Sequence, residues 1–384
     1  MKKERIQQSA IVALARAAFS YPDVKFLCFG ESDQESPKSA RDSLKQALDE
    51  GNTRYGDVRG MVALREALAM YLSKLHRTEI SEDRIQVTAS GMAAIGIAMT
   101  FLIKPGDRVV IHEPMWPNIA NVARVRFAEI DIVSLKLKND GSFLLDIDAL
   151  HEKLKGARLF FLNSPNNPSG WVASEIELKK ILAICRETNT WIVADEVYSR
   201  LIYNGSPCAP SILSVAHPND RVIVCNSFSK TWAMTGWRIG WLVVPKGLRD
   251  TFCDVTEITH SAVSQFIQYG ALAALSDSDF IEEFRGFCDQ GRQIAVESLN
   301  AINGIEFVAP PGTFYAFFKV PGVKDSLQFS LDLLKTQRVA VAPGIGFGQS
   351  GEGFIRICFA KQIDELREAM DRLSLGILTY VSRI

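Results

Sequence analysis

The chain has 384 residues, 47% of them hydrophobic and 23% charged, with a formal net charge of -1. A chain of this length can bury a large core and is expected to divide into two domains, and near-neutral charge with no basic run argues against a nucleic-acid partner. Seven scattered cysteines without a C-x-x-C pair support neither a zinc cage nor a disulfide framework, so no metal is expected and the cysteines read as small core residues of a reducing compartment.

At the N-terminus, Met1-Lys2-Lys3-Glu4-Arg5 followed by the apolar stretch Ala10 to Ala15 imitates a secretory signal. Arg16 interrupts that stretch and no A-x-A-like cleavage site follows, so an amphipathic first helix is expected instead. No run approaches the ~18 apolar residues of a membrane span. No membrane partner and a cytoplasmic location are expected.

From about residue 85 to residue 245, short apolar runs such as Arg108-Val109-Val110-Ile111, Arg158 to Leu162, Trp191 to Ala194 and Val222 to Cys225 alternate with amphipathic stretches of helical length. That alternation predicts an α/β fold with a doubly wound, mostly parallel sheet covered by helices on both faces. In such folds ligands bind beyond the carboxyl ends of the strands. Asn163 to Gly170, Asp195 to Tyr198 and Asn226 to Lys230 would then converge on one crevice. After about residue 275 a long charged helical stretch precedes Pro310-Pro311-Gly312-Thr313-Phe314-Tyr315, and a smaller α+β domain is expected there. The expected division is a large domain over 42–275 and a small one built from 1–41 and 276–384.

Lys230 lies in Ser227-Phe228-Ser229-Lys230-Thr231-Trp232-Ala233-Met234-Thr235-Gly236-Trp237-Arg238. A lysine whose surroundings depress its pKa can form an imine with an aldehyde cofactor, and Ser227 and Arg238 suit a phosphate on that cofactor, as hydroxyl donor and planar fork. Alone, such a lysine reads as a solvated turn residue. Its company changes the reading. Asp195, at the end of an apolar strand, is a carboxylate that could keep a pyridine nitrogen protonated. Tyr198 and Asn167 could donate to the ring's phenolic oxygen, and Pro165, Pro168 and Gly170 set the turn that presents Asn167. In Thr88-Ala89-Ser90-Gly91-Met92, small residues open a helix whose backbone amides can approach a phosphate. Trp116 could stack on a cofactor ring or fill core or interface. Arg356, in an apolar strand, needs an anion, either a substrate carboxylate or a structural acid.

These residues together resemble the class I/II, fold-type I pyridoxal-phosphate aminotransferases of the aspartate and aromatic aminotransferase superfamily. Phe29-Gly30-Glu31-Ser32-Asp33, Tyr55-Gly56, Gly60, Leu64-Arg65, Pro343-Gly344 and Phe347-Gly348 extend the resemblance over nearly the whole chain. It implies a large domain on a doubly wound, mostly parallel seven-stranded sheet plus a small α+β domain, with pyridoxal 5'-phosphate as cofactor. Lys230 would hold the cofactor and shuttle a proton. Asp195 would pair with the pyridine nitrogen, Tyr198 and Asn167 with the phenolic oxygen, and Trp116 with the ring face. Ser90, Gly91, Met92, Ser227 and Arg238 fall at phosphate-binding positions, and Tyr55 would reach the phosphate across a homodimer interface. Arg356 and Gly30 fall where the α-carboxylate of the substrate is held.

The implied reaction is ping-pong transfer of an amino group from an L-amino acid to a 2-oxo acid; a carbon-sulfur lyase or a cyclase on the same scaffold is the rival. Relatives that take aspartate carry a cationic side chain for the distal carboxylate, in one branch a lysine where Met92 stands here, with a nearby threonine where Ile11 stands. Losing such a charge-assisted partner weakens dicarboxylate binding by about 1.5 to 3 kcal/mol. A neutral, apolar or aromatic side chain is the expected donor.

Overall fold

The computed structural model describes residues 9–305 and 307–382, so the Met1 to Arg5 segment weighed as a signal lies outside the described residues. Its centre is a seven-stranded sheet of β1 (Ile85–Thr88), β2 (Arg108–Glu113), β3 (Glu129–Ser134), β4 (Leu159–Asn163), β5 (Trp191–Asp195), β6 (Val222–Ser227) and β7 (Gly240–Val243). The spatial order is β1-β7-β6-β5-β4-β2-β3. Strand β7 runs antiparallel to both neighbours, and the other pairings are parallel.

The strands are apolar on both faces because both faces are covered. Val110, Phe160, Leu162, Ile192, Ala194, Val224, Trp241 and Val243 join one core cluster, while Val109, Ile111, Leu159, Phe161, Val193, Ile223, Cys225 and Leu242 join another. Successive residues thus alternate between two cores, as the two-residue period of a strand dictates. Each such side chain contributes roughly 1.5 to 3 kcal/mol when fully buried. The strand register is thereby fixed.

That register sets what stands at the carboxyl edge. Asn163 pairs with Asp195, and Asp195 with Cys225, one residue before Asn226, so the polar ends of the three strands emerge within one residue of the same line. Strand β7 enters from the opposite direction, with Gly240 level with both Thr88 and Ser227. A Cβ at Gly240 would lie 2.6 Å from the Asn226 carbonyl oxygen and 2.8 Å from the Gly91 nitrogen. Only glycine lets these backbones meet there.

A second sheet holds β8 (Tyr315–Lys319), β9 (Ala342–Pro343) and β10 (Phe354–Cys358) in the order β8-β10-β9, all antiparallel. Phe318, Ile355, Ile357, Leu366, Met370 and Leu373 form its core with the helices Ser278–Asn300 and Ile363–Val381. The first helix, α1 (Ala10–Ala18), buries Leu14, Ala15 and Ala18 against Phe317, Ala340 and Phe354. Those three positions share one helical face, and Val12, Ala13 and Arg16 lie off it. Lys25–Phe26 pairs in parallel with Val339–Ala340 and anchors the segment that follows α1 to the same part of the molecule. Among the described residues, no helix is long and apolar enough to cross a membrane, and no cluster of metal-ligating side chains occurs.

Candidate active site

A cavity of about 540 Å³ opens between the two sheets, lined by residues from the carboxyl edge of the large sheet, from β8 and β10, and from α1. Lys230, Asp195, Tyr198, Asn167, Gly30, Gly91, Met92, Trp116, Ser227, Arg238 and Arg356 all face it. Two expected residues do not. Ser90 turns its hydroxyl inward, accepting from the Ala93 amide at 3.0 Å as the cap of α2 (Gly91–Leu102), and Tyr55 is 92% exposed on the outer surface.

Lys230 follows β6 on the short helix Phe228–Thr231, which Ser227 caps by accepting from the Ser229 amide at 2.9 Å. Its Nζ donates to the Gly30 carbonyl at 2.5 Å and stands 5.7 Å from the centre of the Tyr198 ring and 5.6 Å from that of Phe314. Desolvation by these surroundings pushes the ammonium pKa down to about 8, and the nearby Arg356 charge acts in the same direction. A free amine is therefore accessible near neutral pH.

Asp195 is 7% exposed and accepts one weak bond, from the Val197 amide at 3.3 Å. Burial raises its pKa to about 7, and among the described residues no cation forms a salt bridge with it. A buried carboxylate in that condition needs a positive partner. Behind it lies a polar ladder. His112 accepts from the Asn163 amide at 3.0 Å through Nε2, and burial holds its pKa down at about 4, which keeps the ring neutral. Asn163 donates to the Asp195 carbonyl at 3.2 Å and accepts from the Asn167 amide at 2.9 Å. Asn167 in turn accepts from Arg356 at 3.0 Å.

Arg356 is 3% exposed in β10, yet no carboxylate among the described residues meets it. Besides Asn167, its guanidinium donates to the Cys28 carbonyl, and its Nε has no partner. Its plane is sandwiched between Tyr315 and Phe347, with 4.3 and 4.9 Å to the ring centres. Of the two readings open for Arg356, the structural salt bridge is absent among the described residues. A buried guanidinium with spare donors is an anion site.

Sequence reasoning missed Tyr315, whose hydroxyl lies 2.7 Å from that of Tyr198. The family resemblance places Ile11 beside the substrate, but the rest of that cavity wall, Val12, Ala15, Arg16 and Phe19 of the N-terminal segment together with Phe29, was missed. Tyr315 closes the conspicuous Pro310 to Tyr315 segment, but its partner is 117 residues away. The amphipathic pattern of α1 signalled a helix and carried no sign of what its second face would line.

The class I and II aminotransferase family model matches residues 22–373. The chain belongs to that family. It is 35% identical over 377 residues to an aspartate aminotransferase of Pyrococcus horikoshii, covering 97% of this chain and 95% of the relative. It is 33% identical to aromatic-amino-acid aminotransferase 2 of Thermococcus litoralis, covering 96% of each. The solved structure of an aspartate aminotransferase from Thermotoga maritima superposes with a TM-score of 0.90 at 30% identity, covering 100% of both chains.

As a class I and II aminotransferase, the protein is a transaminase that depends on pyridoxal phosphate. Its own residues fit that group. The amine of Lys230 suits the aldehyde, and the unpaired carboxylate of Asp195 suits a pyridinium. The close approach of Asn226, Gly91 and Ser90 around Gly240 forms a tight cradle beside Ser227 and Arg238 for a phosphate.

Proposed function

We propose that this aminotransferase takes L-amino acids with neutral, apolar or aromatic side chains as donors and passes the amino group to a 2-oxo acid in ping-pong order. The observation that carries the reading is the meeting in one cavity of Lys230, an unpaired Asp195 and an unpaired Arg356, beneath walls of Ile11, Ala15, Phe19, Phe29, Met92 and Trp116. Pyridoxal phosphate, when bound, supplies the aldehyde that links to amines and the electron-accepting ring that makes the substrate Cα-H acidic.

The chain's residues do the rest. Lys230 would take the proton from the substrate Cα and deliver it two bonds further on, at the carbon that had been the aldehyde, a transfer which its depressed pKa permits near neutral pH. Asp195 stays ionised against the ring nitrogen. Tyr198 and Asn167 donate toward the phenolic oxygen, and Trp116 covers one ring face. Gly91 and Met92 offer backbone amides, Ser227 a hydroxyl and Arg238 a guanidinium at the phosphate end, while Ser90 acts there only by capping the helix that presents those amides. Arg356 grips the α-carboxylate beside Gly30, which selects amino acids over plain amines. In this reading Tyr55, exposed on one subunit, completes the phosphate site of the other in a cytoplasmic homodimer, with 42–275 as the cofactor-binding domain and 1–41 with 276–384 as the small one.

The test is an absorbance screen of the twenty amino acids against purified holoenzyme. Neutral and aromatic donors should convert the bound cofactor to its amine form faster than aspartate, and Lys230→Ala should lose both the conversion and at least about 100-fold in turnover. Steady ammonia release without any oxo acid would transfer the protein to the lyases, and an active Lys230→Ala variant would end the proposal.

A further inference from the structure

We propose that a recess of about 270 Å³ behind the turn that presents Asn167 is a second ligand site, that it takes a compact aromatic organic cation, and that its occupancy is coupled to the cofactor site. The recess shares no lining residue with the active-site cavity. It is read by binding alone and stands whatever the amino donor proves to be.

The hairpin of Lys136–Leu137 and Phe143–Leu144, the segment from Ser169 to Val172 and the stretch from Phe307 to Pro311 enclose the recess. Its walls are mostly rings. Phe143, Trp171, Phe307 and Phe317 face it, and Trp171 and Phe317 are themselves buried. Among the described residues that line it, the carboxylate of Glu177 is the one charged group. Glu177 lies in the first turn of the helix Glu175–Glu187, where its Oε2 accepts from the amide and the hydroxyl of Ser174 at 2.8 and 2.7 Å. Its Oε1 has no partner among the described residues.

Aromatic walls around a single carboxylate specify the ligand. An apolar ring fills the recess, and an ammonium group beside it gains both from Oε1 and from the ring faces. A free amino acid is rejected, because its own carboxylate would meet Glu177 with no cation to offset the repulsion. The ligand is therefore an arylalkylamine or a similar cation without an acid group, whereas Arg356 draws amino acids to the other cavity.

The route from the recess to the cofactor site is short. Asn166 donates its amide to the Trp171 carbonyl at 2.8 Å, and the Ser169 hydroxyl donates to Asn166 Oδ1 at 2.6 Å, so Asn167 sits in a closed turn whose other end lines the recess. Trp171 also meets the buried His112 edge-on, with ring centres 5.7 Å apart, and His112 accepts from the Asn163 amide. Across the turn Pro310 rests against Gly170, where an added Cβ would lie 2.6 Å from the proline Cβ. A ligand wedged between Trp171 and Pro310 biases that turn. The bias runs both ways: whatever the ligand does to substrate affinity, substrate does to ligand affinity.

The test uses holoenzyme and N,N-dimethylphenethylamine, a cation at neutral pH whose tertiary nitrogen cannot form an imine. Calorimetry should show it bound, and 2-phenylethanol, the same ring and arm without the charge, should bind at least about tenfold more weakly. Glu177→Gln keeps an acceptor oxygen for Ser174 and removes the charge. It should weaken the cation at least about tenfold and change 2-phenylethanol by less than about twofold. Val308→Arg, which places a guanidinium on the half-exposed rim, should weaken the cation likewise. Saturating cation should shift the affinity of holoenzyme for an amino acid, read from cofactor absorbance, by about fivefold or more in either direction, and Glu177→Gln should abolish that shift. Absence of cation binding would overturn the site, and so would binding that neither variant changes, since the probe would then occupy the active-site cavity. Binding that depends on Glu177 without any shift in amino-acid affinity would refute the coupling and leave the site.

Discussion

The hydroxyls of Tyr198 and Tyr315 lie 2.7 Å apart in the floor of the cavity, and burial raises the pKa of both, so both phenols stay neutral and one hydroxyl donates to the other. Tyr315 also stacks over Arg356, so the same ring that orients Tyr198 confines the guanidinium. Removing one hydroxyl leaves the other buried without its partner, at about 1 to 3 kcal/mol. Tyr198→Phe and Tyr315→Phe should each destabilise the protein on that scale. The double variant should cost less than their sum, because the second change removes an already orphaned group. Urea denaturation of the three variants checks this, and strictly additive values would show the two hydroxyls to be independent.

Asp195 should make the apoenzyme pH-sensitive in a direction that a carboxylate seldom shows. Its pKa rises from 3.8 to about 7 on folding, so the native state binds the extra proton and the burial penalty is fully present above pH 7 and relieved as the pH falls toward 4. His76 and His112, both lowered to about 4 by burial, act oppositely: their contribution is present above the ordinary histidine range and lost as the pH falls through 4. The wild-type profile mixes the two. In the difference between Asp195→Asn and wild type, the histidines cancel. Apo Asp195→Asn should melt higher than wild type by about 2 °C or more at pH 8, with the gap narrowing at pH 5, while its holoenzyme loses on the order of 100-fold in turnover. A gap that widens on acidification would contradict the stated cause.

Gly240→Ala should act on the cofactor from a position that never touches it. The added methyl would press on Asn226, Gly91 and Ser90 at 2.6 to 2.8 Å, and these are backbone atoms that cannot rotate away. Spreading them opens the cradle at the head of α2. Cofactor affinity should fall at least roughly tenfold, with a stability cost of about 1 to 3 kcal/mol. Dialysis of holoenzyme against buffer, followed by cofactor absorbance, measures the loss; retention equal to wild type would refute the role of the close approach.

Arg356→Lys should separate substrate binding from cofactor binding. Lysine keeps the charge and loses the fork that reaches Asn167 and the Cys28 carbonyl at once. The KM for amino acids should rise about 10- to 100-fold, while cofactor affinity shifts by less than about twofold. Parallel titrations of apoenzyme with cofactor and of holoenzyme with amino acid decide the point. Equal losses in both would mean that Arg356 holds the architecture of the cavity rather than the substrate.

The chemistry of the site was legible in the combination of residues and not in any one of them, because an amine just beyond an apolar strand, a carboxylate at the end of another and a guanidinium within a third are conspicuous together, and strand periodicity told where each run ends. Lys230, Asp195 and Asn167 could be named from short segments, since each stands just beyond or at the end of a run whose own residues demand burial. The mostly parallel sheet followed from the same alternation, and its seven strands from the family resemblance.

What the tertiary structure alone decided is which distant groups meet. Lys230 reaches the Gly30 carbonyl across 200 residues of chain, and Arg356 reaches that of Cys28 across 328. The absence of any acid beside Arg356 among the described residues, the pairing of Tyr198 with Tyr315 and the use of α1 as a cavity wall all depend on such closures. Local sequence records a residue's chemistry and its need for burial; burial partners and charge environment arise only when the whole chain has packed, because both are properties of the neighbours and not of the residue itself.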